Sequence, residues 1–213
     1  MILRDALQAR FGDRPLADNS RHTVEESRWD KCRTCRRKAV DLAVLNHKSE
    51  ILCCAHLHHD HIKEYFRSLF DGYAYCPCWG SWIINASATI SRFREVELCS
   101  FCNEAEGNAK KLAGTAKWFS FTPDELSDIV RVNGPGRVDV DRDRARAIWN
   151  DNTSLLARRM QIGQRLFEVA LAGELGPAGH PMRPRKPGET SVLRELSCDG
   201  GYRKRRAAEA AGL

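Results

Sequence analysis

Apolar residues recur at helical spacing in several stretches of the chain, and at strand-like spacing in others. Ile2, Leu3, Ala6, Leu7 and Phe11 predict a short helix over 2–11, followed by a polar linker to residue 28. The stretch Ile62 to Phe70 has the same spacing. Thr122, Pro123 and Glu125 mark a helix start, with a hydroxyl at the N-cap, proline at the first helical position and a carboxylate at the third. Asp141 to Asn150 predicts another short helix. A longer one over 153–175 has Leu155, Leu156, Met160, Ile162, Leu166, Phe167, Ala170 and Leu171 on its apolar face, with Arg158, Arg159 and Arg165 outside it.

The other apolar runs are short. Ala39 to Leu45 and Ile51 to Leu57 flank Asn46-His47-Lys48-Ser49-Glu50, for which a hairpin is the simplest reading. Val40 to Leu45 fits one helical turn equally well. Tyr73 to Ile84 is aromatic and rich in β formers, and Val96 and Leu98 predict a strand leading into Cys99. Asp71-Gly72 and Asn133-Gly134-Pro135-Gly136 are turn signals. The expected fold class is α+β. Four segments follow: an N-terminal helix and linker (1–28), a cysteine-rich core (29–130), a helical C-terminal extension (131–175) and a Pro/Gly-rich basic tail of flexible-linker character (176–213).

At 213 residues the chain fits one domain with appendages, or one domain and a small second one. The net charge of +6 is compatible with a polyanion partner without being diagnostic of one. No run of about 18 apolar residues exists, so no membrane span is expected. The first residues do not resemble a secretory signal. The expectation is therefore a cytoplasmic protein.

Nine cysteines in such a chain point to metal rather than to disulfides, and the odd count agrees. Cys32 and Cys35 form a Cys-x-x-Cys pair among Lys31, Arg33, Arg36, Arg37 and Lys38, and Cys99 and Cys102 form a second. Each pair can present two thiolates to one tetrahedral zinc ion. The competing redox reading of Cys-x-x-Cys expects a βαβ setting that the pattern does not offer. Cys53 and Cys54 lie in an apolar run and read as small buried hydrophobes. Cys76-Pro77-Cys78 reads either as packed thiols in a strand turn or as part of a second zinc site, with Cys53, Cys54 or a nearby histidine. Cys198 stands alone.

His58-His59-Asp60-His61 is dense in metal ligands and bases. Alternation in an extended chain puts His59 and His61 on one face and His58 and Asp60 on the other. Asn103 directly follows the second cysteine pair. A helix starting there would make Asn103 its N-cap and Glu106 the partner of a capping box, a purely structural role. The basic cluster Tyr202 to Arg206 suits nonspecific phosphate contact or a solvated tail.

Cys32 to Cys35, His59-Asp60-His61 and Leu98-Cys99-Ser100-Phe101-Cys102-Asn103-Glu104-Ala105-Glu106-Gly107 together resemble the HNH, or ββα-metal, nucleases, most of all the phage recombination endonuclease VII group. The resemblance covers roughly residues 29–112, and its last stretch is the most specific. It implies a zinc-stabilised ββα-metal core in which Cys32, Cys35, Cys99 and Cys102 bind structural zinc. Asp60 and Asn103 would hold one catalytic divalent ion, Mg²⁺ or Mn²⁺, and His61 would be the general base. His59, Glu106, Cys76 and Cys78 are accessory candidates. The implied activity is hydrolysis of DNA phosphodiester bonds, in double-stranded or branched DNA, in a restriction-like or phage-recombination role. A homodimer is compatible with the long C-terminal helix. The competing reading is a zinc-stabilised nucleic-acid-binding module without catalysis. Asp60, His61 and Asn103 separate the two, because a pure zinc module needs no such trio beside its knuckle.

Overall fold

Two-stranded ribbons and helices of 4 to 30 residues, rather than long sheets, build the described part of the chain. The computed structural model describes residues 3–26, 29–134 and 137–186. Cys198 and the basic cluster 202–206 lie outside the described residues. The chain divides into two compact units, Met1–Asp60 with Arg92–Thr153 and His61–Ser91 with Ser154–Leu213.

The first unit begins with helix α1 (Leu3–Phe11) and a single turn, α2 (Asp18–Arg21), followed by one π-helical turn, His22–Glu26. A tight turn carries Cys32 and Cys35. It is closed by Cys32 N donating to Arg37 O at 2.9 Å and Arg36 N to Cys32 O at 2.9 Å, with Arg36 in the left-handed region at φ 62°. The next stretch divides between both sequence readings. Ala39–Leu42 is a helical turn, α3, while β1 (Val44–Leu45) and β2 (Ile51–Leu52) pair as an antiparallel hairpin. Asn46 shapes that hairpin's loop, its side-chain oxygen accepting from Lys48 N and Glu50 N.

The unit then builds two antiparallel strands and a helix. Strand β3 (Ala55–His58) is left aside by the hairpin and pairs with a strand far along the chain. That strand is Val96–Cys99, with Ala55 opposite Cys99 and His58 opposite Val96. It runs straight into a helix, Ser100–Ala113, ended by Gly114 at φ 68°, a left-handed position that glycine adopts without strain.

The second unit opens with α4 (Ile62–Ser68), a two-residue strand β4 (Tyr73–Ala74) and α5 (Pro77–Thr89). Strand Val96–Cys99 is therefore β5, and helix Ser100–Ala113 is α6. The aromatic stretch read as strand-forming is largely helix. Pro77 takes the first helical position, and Trp79, Gly80, Ile83 and Ser87 form a buried face at helical spacing. Local β propensity yields here to burial of one helical face.

Back in the first unit, Thr122 is the N-cap of α7 (Pro123–Ile129), as expected, and forms a full reciprocal capping box with Glu125. Strands β6 (Val130–Val132) and β7 (Val138–Val140) form a hairpin. The two helices expected near 141–150 and 153–175 are one helix of 30 residues, α8 (Arg142–Leu171). The polar run between them does not break it, because its side chains turn back onto the helix: Asn152 Nδ2 donates to Ile148 O at 2.8 Å, and Thr153 Oγ1 to Asn150 O at 2.9 Å. Residues of α8 up to Thr153 belong to the first unit and those from Ser154 to the second.

The first unit's core gathers Leu98, Phe119, Phe121, Leu126, Ile129, Ala145 and Ile148, all buried. Phe119 meets Phe121 and Trp149 edge-on, each at 4.9 Å between ring centroids. The second unit's core is an aromatic chain: Phe66 to Phe70 at 5.3 Å, Phe70 to Phe167 at 4.9 Å, Phe167 to Tyr73 at 5.6 Å and Trp79 to Trp82 at 5.3 Å. In α8, Gly163 lets the helix come close, since a Cβ there would lie 3.3 Å from both Ile90 Cδ1 and Phe66 Cδ2. The Pro/Gly-rich stretch expected to be a linker is laid against this unit over its described part. Strand β8 (Arg183–Pro184) pairs with β4, and Arg185 N donates to Gly72 O at 2.8 Å.

Candidate metal centre

The two cysteine pairs meet. One sulfur from each of Cys32, Cys35, Cys99 and Cys102 lies within 4.8 Å of the other three. Cys32, Cys99 and Cys102 are buried and Cys35 is half-buried. The sequence separation is long, 67 residues between Cys32 and Cys99, and it is closed by the register of β3 against β5.

Each pair is positioned by its own local structure. Cys32 and Cys35 sit on the tight turn described above. Cys99 ends β5 and is itself the N-cap of α6, where its sulfur accepts from Cys102 N at 3.4 Å. This corrects the expected helix start. Asn103 is not the N-cap, and Glu106 is not its capping partner, because the knuckle forms the first helical turn and a sulfur does the capping. Asn103 is instead the fourth residue of α6. Glu106 is buried in the second turn with Lys110 Nζ 3.7 Å from its carboxylate.

The surroundings favour negative sulfur at Cys32 and Cys35. Cys99 N points at Cys32 Sγ at 3.5 Å, and Arg37 Nε donates to Cys35 Sγ at 3.3 Å. Hydrogen bonding from Cys102 does most to push the Cys32 thiol down to about 6 and to hold Cys35 below the ordinary thiol value. Cys102 is pushed up as the donor of those bonds, to Cys32 first. Four sulfurs this close cannot all carry charge unless a cation joins them. A buried, tetrahedral-capable set of four cysteines with amide and guanidinium donors around it is the donor chemistry of a structural zinc site. The group can hold such an ion. Thr34, inside the knuckle, ties it to α7: its hydroxyl donates to Pro123 O at 3.4 Å, and Ser127 Oγ donates to Thr34 O at 3.2 Å.

The histidine-rich stretch follows its alternation. His58 and Asp60 are buried, at 3 % and 1 % exposure, and His59 and His61 are half-exposed. His58 is a core residue: its Nε2 lies 2.7 Å from Phe121 O, and its ring stacks on Phe93 at 5.0 Å. Asp60 accepts from Arg92 N at 2.6 Å. His61, the residue before α4, has Nδ1 2.9 Å from Glu64 Oε2. His59 and His61 fall on either side of the division between the units.

Two residues with clear roles here carry no motif. Glu64 supplies an acceptor to the His61 ring, and its only sequence signal is the i, i+3 spacing at a helix start. Arg92 is a hub of the first unit: besides its backbone bond to Asp60, its guanidinium donates to Ser120 O at 2.8 Å, pairs with Glu125 and lies 5.0 Å from the Phe119 ring centroid. Nothing local in the sequence marks it.

Of the remaining thiols, Cys53 donates toward Ala39 O at 3.5 Å and Cys54 lies 3.6 Å from Ser20 Oγ. Among the described residues neither belongs to a metal-binding cluster. Cys76 and Cys78 are joined by a disulfide. The expectation that the cysteines avoid disulfides therefore fails for this pair, where one intervening proline at a helix start brings the two sulfurs together. No described helix is long and apolar enough to cross a membrane. No protein-family model matches the chain, and no curated protein or solved structure shows significant similarity to it.

Proposed function

We propose that this protein is a metal-dependent DNA endonuclease of the HNH class. The observation that carries the reading is the order of parts along the chain: β3, then Asp60-His61 two residues beyond its end, then β5 paired antiparallel with β3 and running into α6, with the second cysteine pair at the β5–α6 junction. Zinc on the four cysteines would fix that junction.

Asp60 and Asn103 supply hard oxygen ligands suited to Mg²⁺ or Mn²⁺. An ion held by them would supply positive charge to the scissile phosphate and to the leaving 3′ oxygen. His61 takes the proton from the attacking water. With Nδ1–H donated to Glu64, Nε2 becomes the nitrogen that accepts that proton, and the developing imidazolium gains a carboxylate partner. Double-stranded or branched DNA is the substrate, and the net charge of +6 suits such a polyanion.

The test is cleavage of supercoiled plasmid and of a branched junction by zinc-loaded protein with Mg²⁺ or Mn²⁺. His61→Ala is expected to lower the rate about a hundred- to ten-thousandfold, the usual contribution of a general base. Glu64→Gln should cost less and shift the pH profile. Full zinc content with no cleavage of either DNA by the wild type would overturn the nuclease and leave a zinc-stabilised nucleic-acid-binding module.

A further inference from the structure

The second unit carries its own group of metal-ligating side chains, separate from the nuclease reading. Cys76 is the N-cap residue of α5, Cys78 is in its first turn, and His180 lies on the returning Pro/Gly-rich segment. One ligand atom from each lies within 4.8 Å of the others.

His180 is held there from both sides. Before it, Gly176 has φ 115° and lies so close to the Trp79 indole that a Cβ would collide with the ring. At the residue itself, the Trp79 indole N–H donates to the His180 carbonyl across 101 residues of sequence. After it, Arg183 pairs with Ala74, and Arg185 N donates to Gly72 O. A chain of this composition has little reason to order unless it is fastened, and all three fastenings converge on the start of α5.

We propose that Cys76, Cys78 and His180 form a redox-gated zinc site: closed while Cys76 and Cys78 are joined, open to Zn²⁺ once they are reduced. In the reduction, a small dithiol gives two electrons and two protons. The S–S bond becomes two S–H groups, and the dithiol leaves as its own disulfide. Zn²⁺ then displaces both thiol protons and takes the neutral imidazole as third ligand, with the fourth tetrahedral position left to water. Two thiolates and an imidazole select zinc over Mg²⁺ or Ca²⁺. The positive end of a 13-residue helix favours the anionic sulfurs at its first turn. Both cysteines are half-buried and His180 is exposed, so a dithiol and an aqueous ion can reach them.

The test is zinc per chain in the full-length protein, measured by elemental analysis after exposure to excess zinc and desalting. Reduced wild type is expected to hold one more zinc than the reduced Cys76→Ser/Cys78→Ser protein. Both proteins keep Cys32, Cys35, Cys99 and Cys102, so the difference does not depend on what those four bind. Oxidised glutathione should remove that one equivalent from wild type, a comparison that needs no variant. His180→Ala should weaken the second zinc about tenfold or more against a competing chromophoric chelator. Equal zinc in reduced wild type and the double variant, or unchanged retention in His180→Ala, would overturn the site.

Discussion

The unit that carries the four clustered cysteines and the unit that carries the aromatic chain hold their elements together differently. Among the described residues of the first, no strand exceeds four residues, and every sheet has two strands. Two-stranded ribbons are marginal by themselves. The knuckle turn at Cys32 and the β5–α6 junction come from distant parts of the chain, and the sulfur cluster is where they join. In the second, rings from α4, α5, β4 and α8 touch in sequence, so that aromatic burial links its elements alongside the β4–β8 pairing. Metal coordination concentrates stability at one point, whereas a packed aromatic core spreads it over many contacts.

The largest test of that contrast is metal removal. A four-cysteine zinc site contributes on the order of 10 kcal/mol of coupled binding and folding, more than the total stability of many domains. Chelation of the zinc-loaded protein is expected to send the indole signals of Trp29, Trp118 and Trp149, in the first unit, to unfolded positions in a two-dimensional NMR spectrum. Those of Trp79 and Trp82, in the second, should keep their dispersion. Collapse of all five together would show that the units stand or fall as one, and no change would show that the cysteines are not structural.

A core truncation probes the other side. Phe70 is fully buried and touches Phe66, Trp82 and Phe167. Phe70→Ala is expected to cost about 3–5 kcal/mol by urea denaturation, with the zinc held by Cys32, Cys35, Cys99 and Cys102 unchanged. Zinc loss in this variant would break the comparison.

The smallest effect separates two kinds of thiol within the first unit. Cys32 is driven down by its sulfur neighbours, whereas burial, and then the nearby Cys54, pushes the Cys53 thiol from 9.0 up to about 12. The folded protein thus keeps the Cys53 proton longer than the unfolded chain does. That contribution to stability is complete below about pH 9 and is lost as pH rises towards 12. Cys53→Ala should flatten stability against pH in this alkaline window and leave it unchanged near neutrality. An unaltered slope would mean that Cys53 is not buried as a neutral thiol.

Features set by neighbouring residues were legible in the sequence. The Thr122 capping box, the α1 and α4 helices, the strand into Cys99 and the split between buried His58/Asp60 and half-exposed His59/His61 all follow from spacing within a few positions. The two Cys-x-x-Cys pairs were legible as halves of one site because four thiols at that spacing have few other uses. Tyr73 to Ile84 misled because aromatic residues favour strands on average, while Pro77 and the 79-83-87 face favoured a helix. The break expected near 150 misled because polar side chains that usually end helices can bond back to them. The start of α6 was displaced because a cysteine sulfur, not an asparagine, does the capping.

What the sequence by itself determined is therefore many of the local elements, the α+β class and the four cysteines that cluster. The tertiary structure decided which distant segments meet: β3 with β5 rather than with β2, Arg92 with Asp60 and Glu125, and the return of His180 to Cys76 and Cys78. The physical reason is that local spacing fixes dihedral angles and caps within a turn or two, whereas closing loops of tens of residues costs entropy that only the assembled core, and any metal it holds, can offset.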